Sequence, residues 1–360
     1  MQVKTLRTAL TVVSMFLTLG SAIAAEPVAC RALYPGGTVA FAGLFPAIEE
    51  KMPLTNFKSG MIVEIDLATM SEAEGKSYIS GLQRLGARVS IYLVGGHCTT
   101  YENDCAAMEK AGVKFGSTGS WNWDKEERRI YDITHPAFLA RVKAGAEKGW
   151  RAGANYIRVD NLHYPAGSKE PRNAEAMKVV FGVLHQLEDA LRAEGAIPAD
   201  RPAGIVAHNN LEVWEDMIKQ GMLKRPPVFL TSERTAQLAL KGQGYKADAL
   251  MKAGKLHAAD HAEISAGRRI SSKLGIPYSI AEFQVTHDLG GKQGATYQLP
   301  ASYVDELKGL PGVTEIIVIP DETHYVGRGK AHAGPGPRTL AAAPFAVGAG
   351  EVAKGCLAKE

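Results

Sequence analysis

Four hydrophobic stretches of this chain end in a carboxylate: Met61-Ile-Val-Glu-Ile-Asp66, Asn155-Tyr-Ile-Arg-Val-Asp160, Val228-Phe-Leu-Thr-Ser-Glu233 and Ile276-Pro-Tyr-Ser-Ile-Ala-Glu282. A fifth, Thr314-Glu-Ile-Ile-Val-Ile-Pro-Asp321, does so one residue past a proline. Short β-branched runs separated by helix-length segments predict parallel strands, and parallel strands put their C-terminal ends on one face. That face would carry a ring of acids. Two carboxylates facing one another across such a cleft are the minimal equipment for cleaving a glycosidic bond, and further acids beside them attract a cationic substrate.

The segments between these runs read as helices. Ser71 and Glu74 have capping-box spacing ahead of an amphipathic stretch to Leu85, and Arg88 to Val94 is the next strand. A third, short strand is expected at Ile130-Tyr-Asp-Ile133, and Pro136 then opens a helix to about Gly149. A fourth strand ends at Asp160, and a long helix runs from Asn173 to about Gly195. Ala203 to Ala207 is a fifth strand, followed by His208-Asn-Asn210 and a helix from Glu212. The runs ending near Glu233, Glu282 and Asp321 complete eight strands, which predicts an α/β fold: a single-domain (β/α)8 TIM barrel over residues 26–325. No Gly-x-Gly-x-x-Gly follows the first strand and no Walker motif occurs, which weakens the alternative of an open nucleotide-binding sheet.

Ahead of this unit, residues 1–25 have Lys4 and Arg7, an apolar run from Ala9 to Leu19 and a small-residue cleavage pattern at Ser21-Ala-Ile-Ala-Ala25. This is the pattern of a secretory signal peptide, and its apolar run is shorter than the roughly 20 residues a bilayer span requires. A secreted or periplasmic protein with no membrane span after processing follows as the expectation. Removing Lys4 and Arg7 lowers the formal charge from +3 to +1, a near-neutral balance that excludes nucleic acid as an expected partner. Beyond the barrel, residues 326–360 are rich in Gly, Ala and Pro and lack the composition for a core of their own. Export makes disulfides the default for the cysteines, and Cys98 with Cys105 and Cys30 with Cys356 is the expected pairing.

In a barrel, reacting groups sit at the C-terminal ends of strands. Asp160 and Glu233 lie on the expected strands four and six, one strand apart, and are assigned as the catalytic pair: Glu233 the proton donor, Asp160 the nucleophile or the base for water. Asp66, Glu282 and Asp321 add negative potential and hydrogen bonds. Trp121 and Trp123 lie in the polar loop Ser117 to Asp124, where one of them is expected to stack on a sugar face or hold an ammonium sugar by cation–π attraction. Tyr92 either faces the mouth or fills a core layer.

The fourth strand carries a resemblance. Gly149-Trp-Arg-Ala-Gly-Ala-Asn-Tyr-Ile-Arg-Val-Asp-Asn-Leu-His163 resembles the pattern in which a Gly-Phe-Asp-Gly stretch leads to Asp-Asn at a strand end in the endo-α-1,4-polygalactosaminidases, glycoside hydrolase family 114. Gly95-Gly96, Tyr131-Asp-Ile-Thr-His-Pro136, His208-Asn209, Ser232-Glu233 and Ala281-Glu-Phe283 follow in the family's order, so that the match spans Met61 to Asp321. The resemblance implies a (β/α)8 barrel that hydrolyses α-1,4-linked galactosamine polymers with no metal or other cofactor, with its acids at Asp160 and Glu233. It also implies substrate contacts from Asn161, His163, His208 and Asn209. The chain departs from the pattern at His163, where a second aspartate is frequent, at His208, where lysine is frequent, and at Phe283, where tyrosine is. These positions bear on the precise substrate. The expected partner is a cationic or partly acetylated amino-sugar polysaccharide, met by a monomer.

Two other readings use the same residues. His97, His163, His208, His287 and His324 with Glu64 and Asp66 could hold a divalent metal in a phosphodiesterase-type barrel, although the His-Arg-Gly motif of such barrels is missing from the first strand. A barrel that binds sugar without cleaving it is the other. A serine nucleophile has no Gly-x-Ser-x-Gly to support it.

Overall fold

The structure, a computed structural model, describes residues 39–40, 62–67, 70–93, 95–98, 105–113, 115–120, 127–160, 162, 171–233, 258, 261–283, 285–286, 295–296, 306–307, 309–313 and 315–319. The signal segment 1–25, the tail 326–360, Cys30, Cys356, Trp121 and Trp123 lie outside the described residues, as do the side chains of Cys98 and Cys105.

In chain order the strands are β1 (Val39–Ala40), β2 (Ile62–Asp66), β3 (Arg88–Leu93), β4 (His97–Cys98), β5 (Phe115–Ser120), β6 (Glu127–Tyr131), β7 (Tyr156–Val159), β8 (Gly204–His208), β9 (Phe229–Glu233), β10 (Tyr278–Phe283), β11 (Val285–Thr286), β12 (Ala295–Thr296) and β13 (Glu315–Ile319). The helices are α1 (Glu72–Arg84), α2 (Cys105–Lys110), α3 (Pro136–Arg151), α4 (Pro171–Ala193), α5 (Leu211–Lys219) and α6 (Ala262–Leu274). Local chemistry starts them where the sequence predicts. Ser71 and Glu74 form a reciprocal capping box on α1, and Pro136 opens α3 behind the His135 ring, which accepts from the Ala137 amide at 3.2 Å.

Eight strands form one all-parallel sheet in the order β1-β2-β3-β7-β8-β9-β10-β13, the α/β class expected. Two features of the expected barrel are corrected. The run at Ile130–Ile133 is not a barrel strand: β6 pairs antiparallel with β4 and β5 in a separate three-stranded sheet inserted between β3 and β7. The remaining parallel strand is β1, ahead of the first run read from the sequence. Among the described residues β1 and β13 each pair on one side only, so the sheet is TIM-like but not a closed eight-stranded ring.

Strand alternation gives the sheet two faces. Val63, Ile65, Val89, Ile91, Ile157, Val159, Ile205, Ala207 and Leu230 join Phe138, Val142, Trp150, Phe181, Leu184 and Trp214 from the helices in one core. Gly149 of α3 makes this contact close, since a Cβ there would stand 2.7 Å from Ile91 Cγ1. The opposite parity carries Glu64, Ser90, Tyr92, Tyr156, Arg158, Val206, Phe229 and Thr231, all buried. Tyr156 and Phe229 meet edge-to-face at 5.4 Å across β8, where Gly204 is the residue in register with Tyr156. Contacts between strands that are not neighbours are what a curled sheet permits, and this inner face is its concave side.

Asn155 ties the start of three strands together: its Oδ1 accepts from the Val89 amide at 3.0 Å and its Nδ2 donates to the Pro202 carbonyl at 3.1 Å. At the other end, Lys148 Nζ donates to the Leu67 and Met70 carbonyls at 2.9 and 2.8 Å and holds the chain leaving β2.

On the helix side of β9, Ser232 Oγ donates to Glu263 Oε1 at 3.0 Å and shares a 2.9 Å hydrogen bond with the Tyr278 hydroxyl, while the Leu211 amide donates to Glu263 Oε2 at 2.8 Å. Burial pushes the Glu263 carboxyl up to about 7; the Leu211 and Ser232 hydrogen bonds work against that rise, and the nearby Glu212 adds to it. The folded chain therefore holds this proton more tightly than the unfolded chain, whose ordinary value is 4.5. The resulting stability is fully present below the ordinary value and is lost as the pH rises through 7. Glu263→Gln, whose amide can donate to Ser232 Oγ and whose oxygen can accept from Leu211, should remove this pH dependence. Urea unfolding of the two proteins across the acid-to-neutral range checks it, with a wild-type loss of up to about 3 kcal/mol that the variant lacks.

Candidate active site

Three strand ends meet at Asp160. Its Oδ2 accepts from the Tyr92 hydroxyl of β3 at 3.3 Å and lies 3.5 Å from Arg158 Nη2 of β7. Its Oδ1 lies 3.3 Å from His208 Nε2 of β8. Asp160 itself follows β7, held by its amide to the Leu93 carbonyl at 3.0 Å. All four residues are buried.

Arg158 anchors the group. Its side chain is wholly buried, and its other terminal nitrogen, Nη1, meets Glu64 Oε1 of β2 at 2.7 Å. The guanidinium also lies over the Tyr92 ring, 5.2 Å from the centroid. One rigid cation thus stands between two carboxylates from different strands, one at each terminal nitrogen. The trio Glu64, Arg158 and Asp160 carries a net negative charge when all are ionised, and its donors leave Asp160 well suited to the anionic form.

His208 is fixed from two sides. Nδ1 is 2.7 Å from Thr231 Oγ1 of β9, and Nε2 is 2.8 Å from Asn209 Nδ2 as well as 3.3 Å from Asp160. A proton on Nε2 serves Asp160 and a bare Nε2 accepts from the Asn209 side-chain amide, so the tautomer of the ring selects which of the two neighbours it bonds. The turn behind it is strained: Asn209 and Asn210 both adopt left-handed backbone, with φ of 47° and 50°. Asparagine tolerates this conformation better than most residues, and a cost of this kind is commonly concentrated at sites. The Asn209 amide donates to the Thr231 carbonyl at 3.0 Å, which keeps the strained turn against β9.

The other residues expected at the mouth fall as follows. Glu233 is the last residue of β9, two beyond Thr231 and therefore at the inner-face parity, with Ala281 as its register partner on β10. Asp66 ends β2 in register with Tyr92. Glu282 has the parity of Tyr278 and Ile280, which belong to the helix-side core, and pairs in register with Val318. Asn161, His163 and Asp321 lie outside the described residues, as do His287 and His324. Glu64, Arg158 and Thr231 were not singled out for sugar cleavage. The signal for the first two was present, because each is a charge set inside an apolar strand two residues before a strand-end acid, at the same parity. Glu64, a ligand in the metal reading, has its Oε1 against the Arg158 guanidinium.

No protein-family model matches the chain, and no curated protein does. Solved structures do. The glycoside hydrolase domain of PelA from Pseudomonas aeruginosa is 17% identical, with 78% of this chain and 93% of that one covered at a TM-score of 0.46. Aspergillus fumigatus Ega3 in complex with galactosamine is 16% identical, covering 71% of this chain and 82% of that one at a TM-score of 0.43. A maltogenic α-amylase, AmyB from Thermotoga neapolitana, is 10% identical over 68% of this chain and 58% of its own, with a TM-score of 0.36. Likenesses of this size assign no activity to the present chain. Among its described residues, no helix is long and apolar enough to cross a membrane.

Proposed function

We propose that this protein is a glycoside hydrolase acting on an amino-sugar polysaccharide of the α-1,4-galactosaminan type, exported to the periplasm or cell exterior and working there as a monomer. The observation that supports this most directly is Asp160, a buried carboxylate at a parallel-strand end with Tyr92, Arg158 and His208 converging on it. Asp160 is the ionised member of the pair, nucleophile or base for water, and Glu233 is the acid that protonates the leaving oxygen as the glycosidic C–O bond breaks. Water supplies the hydroxyl that ends on the anomeric carbon and, at the end of the cycle, the proton that returns to Glu233. Strands β7 and β9 are two strand spacings apart, about 9.6 Å, a span from which carboxylate side chains can flank one sugar bond. Asp66 and Asp321 supply further negative potential for an ammonium sugar, with contacts from Asn161, His163, His208, Asn209 and either Trp121 or Trp123, while the helix-side parity of Glu282 removes it from the group.

The test is mass spectrometry of products after incubating the purified protein with partly deacetylated α-1,4-galactosaminan in the presence of a chelator. Release of oligosaccharides is the expected result. Intact polymer with chelator and cleavage on adding a divalent ion would replace this mechanism by a metal-dependent one, and polymer bound but never cut would make the protein a sugar-binding barrel.

A further inference from the structure

We infer that Arg158 is a positioning residue for Asp160, and that Glu64 sets how tightly it grips. This rests on the proposed role of Asp160 and goes beyond it, because neither residue touches the reacting atoms in that role. The distances are unequal: Arg158 is 2.7 Å from Glu64 and 3.5 Å from Asp160. A guanidinium shared between two carboxylates normally closes on both at hydrogen-bond distance. Here the inner carboxylate takes the short contact and the strand-end carboxylate the long one. The cation therefore favours the anionic form of Asp160 without capturing the oxygen lone pairs needed for attack or for taking a proton from water.

From β2 Glu64 faces the guanidinium, from β3 Tyr92 contributes a neutral hydroxyl and its ring face, and from β8 His208 approaches the other Asp160 oxygen. Arg158 is the one permanent cation of the group. Lysine could not reproduce it, since a single ammonium on a flexible stem lacks the two forked nitrogens that reach Glu64 and Asp160 separately. Glu64 and Arg158 each stand two residues before a strand-end acid on the same face, and the register sets Arg158 level with Tyr92 and Asp66, one inner-face step above Glu64, which places the guanidinium between Glu64 below and Asp160 above.

The experiment follows the Asp160 carboxyl carbon by NMR in protein labelled at aspartate, assigned by its disappearance in Asp160→Asn, while the solution is titrated from acid to neutral pH. Arg158→Met should raise the Asp160 titration midpoint by about one pH unit or more, the size of effect a neighbouring cation exerts. Glu64→Gln should lower it by a similar amount as the freed guanidinium closes on Asp160, and should reduce kcat more than KM. Arg158→Lys should fall between Arg158→Met and wild type. An unchanged midpoint in Arg158→Met overturns the inference; should that variant not fold, an unchanged midpoint in Glu64→Gln overturns it equally. The titration needs no substrate, so failure to cut galactosaminan would count against the proposed function while leaving this result standing.

Discussion

Asp160→Asn is expected to lower the rate of polymer cleavage by about 10³-fold while the protein stays folded, because the amide keeps the shape of the side chain but can neither attack nor take a proton from water. Arg158 retains Glu64 as a partner in that variant, so no buried cation is orphaned and the unfolding midpoint should move little. Glu233→Gln is expected to fall by a similar factor on the natural polymer for a different reason, loss of the proton delivered to the leaving oxygen. The two can be told apart with an aryl glycoside. A phenolate with electron-withdrawing groups departs without protonation, so Glu233→Gln should recover most of its rate on such a substrate and Asp160→Asn should not. The opposite pattern would exchange the roles of the two residues. Full activity on the polymer in either variant would remove that residue from the mechanism.

The positions of these two residues could be inferred from the chain because strand ends are marked by pattern. A β-branched run that stops at a carboxylate marks both a strand and its C-terminal end, and β2, β7, β9 and β10 are strands of this kind. The Ser71–Glu74 box and the Pro136 start are equally local signals, and both helices begin where they point. What failed was pairing. Ile130-Tyr-Asp-Ile133 is as short as a barrel strand end could be, but nothing in a short run says whether its partner will be parallel or antiparallel, and His97–Cys98 and Phe115–Ser120 claim Glu127–Tyr131. Val39–Ala40 is two residues long and carries no period at all. The polar lattice behind the mouth was missed for a related reason. Thr231 looks like an ordinary strand residue until His208 is set opposite it in register, and a charge such as Arg158 inside an apolar run acquires meaning only with Glu64 two strands away.

That buried pair yields the other large effect. Arg158→Met leaves the Glu64 carboxylate, whose side chain is only 3% exposed, without its cation, and should cost about 3–5 kcal/mol of stability in urea unfolding, the usual result of breaking a buried pair from one side. Glu64→Leu should cost less, because Arg158 still has Asp160 within 3.5 Å. Joining the two changes as Glu64→Leu/Arg158→Met removes both charges and fills the space with apolar atoms, so the double variant is expected within about 1 kcal/mol of wild type or above it. Activity should not follow stability. With Arg158 gone, Asp160 loses the permanent cation that favours its charged form, and the double variant should remain slow in spite of its restored fold. A double variant as unstable as Arg158→Met alone would mean that the cost lies in packing and not in the uncompensated charge. One that regained both stability and rate would show that the pair serves neither the fold nor Asp160.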